Sequence, residues 1–386
     1  MKRLNVIIIG AGFAGFRLAK KIEKFKNFDI LLINPSHHFL YNPLLHEASV
    51  GQIPKEVPFF DIKKELKRAW FIRSSVIKIY FNKKEIELEN SQFYKYDYLI
   101  ISPGASPLKV IEGSENYPTM KTIFDAIRIN SHLKIALGRY QPLISVIGGG
   151  AVGIELASEI ASLAKTLKKE IFIDLFVAEK QFFPSIPKFH SIIDKQLKKL
   201  NINILYNEKV LKIEKNIIYT ENAEYPSEFI VICIGSRPVL INSDLQFKRA
   251  YRVNQFCQVE GIDDVYSIGD AANFPYLNGN APMLAQVAKI QADYLSKLLV
   301  RKIKGKKLKP LQLKPIKFMF ISLGKNYGVA HLLNHYVIRG IIAWLLKRTY
   351  YVYDLFRYKK DFRLIKSYFI SSLFHNYYFR IEHNLL

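Results

Sequence analysis

A chain of 386 residues is long enough for two or three hydrophobic cores, and its 49% of hydrophobic residues makes a folded globular protein the expectation. The formal charge of +24 suits an acidic partner or an anionic lipid surface. No zinc-finger spacing and no dominant basic block accompany that charge, so nucleic acid is not expected as a partner. The two cysteines, Cys233 and Cys257, form no CxxC pair and no metal cluster, and a reducing compartment is the easier reading. The start, MKRLNVIIIG, enters a strand directly and lacks the features of a secretory signal. No apolar window of about 18 residues predicts a helix that spans a bilayer.

In chain order, NVIII at 5–9 is a short apolar strand that runs into GAGFAG at 10–15, and a helix follows. Strand, glycine turn and helix in that order form a dinucleotide-binding fingerprint. Gly10 permits the tight turn, Gly12 lets a diphosphate approach the backbone, and Gly15 lets the helix pack on the strand. The amides of the first helical turn then face the phosphates. The next strand, DILLI at 29–33, ends at Asn34, where an acid is expected to receive the adenosine ribose. The Asn34 amide can donate to one ribose oxygen and accept from another.

YLIISPGASP at 98–107 is a further apolar run into a glycine, Gly104. ISVIGGGAVG at 144–153 then repeats the fingerprint with Gly148, Gly150 and Gly153, and IELASEIASLA continues as a helix. The strand IFIDLFV at 171–177 ends near Glu179, the acid expected to hold the second ribose. An acid there favours NADH over the 2′-phosphorylated coenzyme by repulsion. Asp174 lies inside the strand, and its direction stays open. FIVICIGSRP at 229–238 runs into Gly235, and VYSIGDAANF at 265–274 into Gly269 and Asp270. Asp270 sits where a strand end can meet the ribityl or diphosphate part of a flavin; the alternative is a helix cap.

This order predicts an α/β protein with two Rossmann-like dinucleotide-binding domains, the second inserted in the first, plus a C-terminal membrane-associating region. Residues 1–110 and 235–305 form the FAD-binding domain, 111–234 the NADH-binding domain, and 306–386 the region for membrane association or dimerisation. Residues 336–386 are basic and dense in aromatics, from Trp344 to Phe379. In a helix, Ile338, Ile341, Ile342, Leu345 and Leu346 share an apolar face that Arg339, Lys347 and Arg348 flank. Such a face lies in the membrane interface with its basic side chains on anionic lipid, or it buries against a second copy.

On these motifs the sequence resembles the pyridine-nucleotide-dependent flavoprotein oxidoreductases. Among them it looks like the type II NADH:quinone oxidoreductases, which are single-subunit and do not pump protons. GAGFAG, LYNPLLHEASVG at 40–51, GGGAVGIELASE at 148–159, IGDAANF at 268–274 and AQVAKIQ at 285–291 fall in that family's order over nearly the whole chain. RGIIAWLLKR at 339–348 resembles its membrane-associated C-terminal region. The resemblance implies FAD held non-covalently by the first domain and NADH docked by the second, with the nicotinamide over the flavin ring. It implies a membrane quinone as acceptor, and a homodimer lying peripherally on the cytoplasmic face of the cell membrane.

By the same resemblance Glu155 lies near nicotinamide and flavin, Glu159 one turn further handles protons, and Gln286 lines the quinone approach. Glu155 reads equally well as a structural residue. The sequence departs from the family at Asn34, at Ile290 in place of the second glutamine of AQxAxQ, and in a strand that looks shortened around 316–324. A sulfide:quinone oxidoreductase-like flavoenzyme is the alternative, but it needs reactive cysteines, and Cys233 and Cys257 read as a buried small hydrophobe and a loop thiol. A flavin-binding membrane scaffold without turnover is the reading from another class.

Overall fold

The computed structural model describes residues 3–277, 279–316, 318–333, 335–359, 363 and 366–370. Phe374, Tyr377, Tyr378 and Phe379, part of the expected aromatic belt, lie outside the described residues. The elements that position the candidate sites begin with β1 (Leu4–Ile9), α1 (Gly15–Ile22), β2 (Phe28–Asn34), α2 (Leu45–Ser49), β3 (Trp70–Arg73) and β4 (Tyr98–Ile101). Next come β5 (Leu143–Ile147), α3 (Ala151–Thr166), β6 (Phe172–Val177), β7 (Ile202–Tyr206), β8 (Phe229–Ile232), β9 (Val265–Ser267) and α4 (Ala285–Ile303). The chain continues through β10 (Phe318–Ser322), β11 (Gly328–Leu332), β12 (Tyr336–Gly340) and α5 (Ile341–Tyr358).

Two compact units result. The first comprises residues 1–39, 60–106 and 236–314. Its parallel sheet has the strand order β9-β4-β1-β2-β3. Val6 to Ile9 are all buried, the unbroken apolar run that a strand covered on both faces needs. Helix α1 is tied to α4 by a fork: Arg17 Nε and Nη2 donate to the two carboxylate oxygens of Asp293 at 2.6 and 2.7 Å. A planar guanidinium matches a carboxylate in this two-point fashion, which fixes orientation as well as distance.

The second unit comprises residues 40–59, 107–235 and 315–386. Its parallel sheet has the order β7-β6-β5-β8, and β10, β11 and β12 form an antiparallel sheet. One core joins these pieces, since Leu45 and Val50 pack with Ile144, Leu175, Ile321 and Val329. The expected division placed residues 40–59 in the first domain and set 306–386 apart as a region of its own. Contacts instead group 40–59 and 315 onward with the inserted unit, because their apolar side chains are buried in its core. Strand β10 is not shortened: it pairs with β11 from Phe318↔Leu332 to Ser322↔Gly328.

Helix α5 has one buried stripe, which includes Trp344, Lys347, Arg348, Leu355 and Tyr358. Tyr41 Oη donates to Asp354 Oδ2 at 2.7 Å and anchors the same stripe. Ile341, Ile342, Leu345, Leu346, Tyr353 and Phe356 are exposed on the helix. Two expectations for this segment need correction. Ile338 belongs to β12, not to the helix, and Lys347 and Arg348 point into the core instead of flanking the apolar face. Among the described residues no helix is long and apolar enough to cross a membrane.

Candidate active site

Two glycine turns follow one backbone plan. In the first unit the Gly10 amide donates to Ile33 O at 2.8 Å and the Ser102 amide donates to Ile9 O at 2.8 Å. In the second, the Gly148 amide donates to Phe176 O at 2.9 Å and the Cys233 amide donates to Ile147 O at 2.7 Å. The third glycine of each turn is a matter of space. A Cβ on Gly15 would collide with the carbonyl oxygen of Gly10, and one on Gly153 with that of Gly148. The middle glycines, Gly12 and Gly150, have nothing within 4 Å of an added Cβ. Open space at that point, beside the N-terminus of α1 or α3, is what a diphosphate needs for close approach to backbone amides.

The turns part company at the end of the second strand of each sheet. In the first unit Asn34 follows Ile33; its Oδ1 accepts from the Ala11 amide at 2.9 Å and its Nδ2 donates to Ser36 O at 2.7 Å. The equivalent residue in the second unit follows Phe176 and is Val177, which is buried. A Cβ on Gly149 would come within 2.6 Å of Val177 Cγ1, so this valine lies against the glycine turn. Glu179, expected at the strand end, is two residues further on and exposed. Asp174 is inside β6, accepts from Asn203 Nδ2 at 2.8 Å, and has its pKa raised by burial.

The remaining site residues of the first unit lie after two paired strands, β4 and β9, and in helix α4. Gly104 (φ +81°) follows β4, and its carbonyl accepts from the Val239 amide at 3.0 Å. Gly269 and Asp270 form a single 3-10 turn after β9. The Gly269 amide donates to Gln291 Oε1 at 2.7 Å, and Gln291 is buried in α4. Sequence reasoning missed Gln291 as an anchor and treated Ile290 as the loss of a polar contact. Ile290 is exposed, and the inward-facing amide belongs to the next residue. Gln286 is half-buried in the first turn of the same helix. In the second unit, Gly235 O accepts from the Leu108 amide at 3.0 Å.

Glu155 and Glu159 lie one turn apart on α3, both buried, in a cluster whose charges come from three separate segments of the second unit. Lys347 Nζ donates to Glu155 Oε1 at 2.5 Å and to Ser322 Oγ at 2.6 Å, and the Ser322 amide donates to the same carboxylate oxygen at 3.1 Å. His46 Nδ1 is 3.6 Å from the other Glu155 oxygen. Burial, then the charge of Lys347, holds His46 well below its ordinary pKa, so the imidazole is neutral and its carboxylate contacts are not ion pairs. Arg348 Nη1 donates to Glu47 Oε2 at 3.1 Å, with its guanidinium over the Trp344 ring. With its amide oriented to satisfy both neighbours, Gln52 donates to Glu159 Oε2 at 3.2 Å and accepts from Arg348 Nη2 at 3.0 Å.

Three carboxyl groups and two cations therefore share one buried volume. Two carboxylates can be matched and the third is better neutral. The third is Glu159, pushed up to about 8 by burial and by the Glu47 charge. Burial also raises Glu155, against the opposing pull of Lys347. Glu47 and His46 were not singled out from the sequence, and Lys347 and Arg348 were expected on lipid, not in a buried charge cluster. The only sequence signal was polar residues recurring among apolar ones in PLLHEASVG and AWLLKR.

The sequence matches the family described as pyridine nucleotide-disulphide oxidoreductase over residues 4–292. Ferroptosis suppressor protein 1 of Homo sapiens is 24% identical over 374 residues, which cover 90% of this chain and 94% of that protein. The structure of NDH2 from Plasmodium falciparum in complex with NADH is similar with a TM-score of 0.85 at 18% identity, over 98% of this chain and 99% of that one. The sulfide:quinone oxidoreductase from the bacterium Aquifex aeolicus is similar with a TM-score of 0.81 at 17% identity, over 94% of this chain and 92% of that one. At such identities the two structural likenesses speak for the fold alone.

Proposed function

We propose that this chain, which belongs to the pyridine nucleotide-disulphide oxidoreductase family, takes hydride from NADH onto non-covalently held FAD and passes the electrons to a membrane quinone. The observation that carries the reading is the pair of glycine turns, each with the open middle glycine a diphosphate requires. Gly10, Gly12, Gly15, Asn34, Gly104, Gly269 and Asp270 are assigned to FAD, and Gly148, Gly150, Gly153 and Gly235 to NADH. When bound, FAD supplies the two-electron acceptor that no side chain of the protein offers.

The chain's own residues orient the reactants and handle protons. The Asn34 amide and the Gln291 amide hold the two loops of the FAD site in place, and Gln286 is assigned to orient a quinone carbonyl. A quinone that takes up two electrons also takes up protons. Glu159, with a pKa near 8, carries a proton at neutral pH, and Glu155 beside it is held by Lys347. This pairing of one protonated and one cation-bound carboxyl suits a proton store for the acceptor.

The exposed face of α5 supports peripheral attachment to anionic lipid: Ile341, Ile342, Leu345 and Leu346 are apolar and open to solvent. Sulfide oxidation is disfavoured as the second reading, because burial pushes both the Cys233 and Cys257 thiols up, away from the thiolate that sulfur chemistry needs.

A double-mixing measurement tests the proposal: the yellow enzyme is bleached with NADH, then mixed with a benzoquinone, a naphthoquinone, oxygen or a sulfur acceptor. Colour should return fastest with a quinone, and Gln286→Ala should slow that phase while leaving bleaching nearly unchanged. Return no faster with either quinone than with oxygen removes quinone as the acceptor. For the membrane, replacing Ile341, Ile342, Leu345 and Leu346 by serine should abolish flotation with anionic liposomes; unchanged flotation would refute that face as the anchor.

A further inference from the structure

The second glycine turn, read as the coenzyme site, has no acid at the position by which such sites reject a 2′-phosphate. In a dinucleotide fold the side chain at the end of the second strand meets the adenosine ribose, and an acid there binds the 2′-hydroxyl and repels a 2′-phosphate. Register identifies that residue without reference to sequence motifs. The first glycine of each turn donates its amide to a strand carbonyl, from Gly10 to Ile33 and from Gly148 to Phe176, and the residue after the acceptor is Asn34 in one unit and Val177 in the other. Val177 is 1% exposed, with its methyl groups against Gly149. It brings no charge and no hydrogen-bonding atom to the ribose.

Glu179 does not restore the missing acid. It lies two residues past the strand end on an exposed turn, its own carbonyl accepting from the Asn207 amide at 3.3 Å. Lys180, also exposed, follows it directly and sets a positive charge beside the negative one. Repulsion from a solvated glutamate with a lysine neighbour is screened over about 8 Å at physiological salt, whereas an acid in contact with the ribose is not screened by water.

The geometry points to a coenzyme site that takes NADPH as well as NADH, with Val177 as the residue that sets this lack of discrimination. This rests on the reading of the second turn as the coenzyme site and names its substrate class more fully. It also replaces the expectation that Glu179 enforces a preference for NADH.

The test uses the purified full-length flavoprotein and two probes that carry no hydride, ADP-ribose and 2′-phospho-ADP-ribose, with dissociation constants measured by calorimetry. Both should bind, with constants within about tenfold of each other. In Val177→Glu the 2′-phospho probe should weaken at least about tenfold relative to ADP-ribose, and NADPH should lose ground to NADH in flavin bleaching by the same factor. Glu179→Ala should move the ratio less than about threefold. A parent protein that already binds the 2′-phospho probe more than about 100-fold more weakly overturns the inference while leaving the coenzyme site in place. So does a folded Val177→Glu with an unchanged ratio. Should Val177→Glu fail to fold, the parent ratio alone decides. Failure of both probes to bind overturns the coenzyme site itself, and the inference with it.

Discussion

At the ends of their second strands the two glycine turns of this molecule do opposite things. The first spends a polar side chain there: Asn34 holds the Ala11 amide and the Ser36 carbonyl at once, stapling the turn to the strand. The second packs a valine against Gly149 and leaves the polar work to whatever binds. Both satisfy the same backbone requirement, because that requirement is set by the glycines. The strand-end residue is free to vary, and with it the rigidity and the chemical preference of the site. A stapled turn suits a cofactor that stays bound, and an unstapled one suits a substrate that must leave.

The sharpest way to break this comparison is to spoil each turn in the same way. Gly15→Ala should deprive the protein of FAD, seen as loss of yellow colour. Gly153→Ala should leave the colour and slow bleaching by NADH at least about 100-fold, since a Cβ there displaces the helix that faces the diphosphate. If both variants lose the flavin equally, the two turns do not serve two ligands.

The buried charges of the second unit give the next largest effect. Lys347→Met leaves Glu155 buried without its cation and should cost about 3–5 kcal/mol in denaturant unfolding. Adding Glu155→Gln should recover part of that loss. The third carboxyl makes the same cluster sensitive to pH. The folded pKa of Glu159 is raised to about 8 from an ordinary 4.5, so the folded protein holds a proton that the unfolded chain releases. Its contribution to stability is complete below about 4.5 and is lost as pH rises to about 8. Glu159→Gln should therefore flatten the fall in stability over that window. A parent and variant that run parallel from acid to alkaline pH would place the proton elsewhere.

A smaller effect is expected at Asn34. Asn34→Val copies the second turn into the first; it leaves the Ala11 amide and the Ser36 carbonyl without their partner and should cost about 1–3 kcal/mol. FAD should then be lost more readily on dilution or gel filtration. The reverse exchange, Val177→Asn, puts an amide among core side chains and should cost about 1–3 kcal/mol while leaving FAD retention unchanged. FAD held as tightly by Asn34→Val as by the parent would mean that Asn34 contributes only its volume.

Much of the candidate site was legible in the residues. GAGFAG and GGGAVG specify strand, turn and helix because a third glycine with no room for a Cβ is a local demand, readable within ten residues. The apolar runs into Gly104, Gly235 and Gly269 announce strand ends for the same local reason. Residue roles that depend on pairing between distant segments were not readable. Glu179 looked like the strand-end acid until the pairing of β5 with β6 put Val177 there. Ile290 looked like a missing contact until the pitch of α4 turned Gln291 inward to the Gly269 amide. Lys347 and Arg348 looked like lipid contacts because a basic side chain on an amphipathic helix is usually solvated. Only the folded chain supplies Glu155 and Glu47, each far away in sequence, and with them the reason to bury a charge. By itself, then, the sequence determined where the backbone must bend and which ligand class it could cradle, since glycine sterics act over a few bonds. Which side chain meets the ribose, and which charges sit in the core, was decided by tertiary structure, since register and desolvation are properties of segments brought together from across the chain.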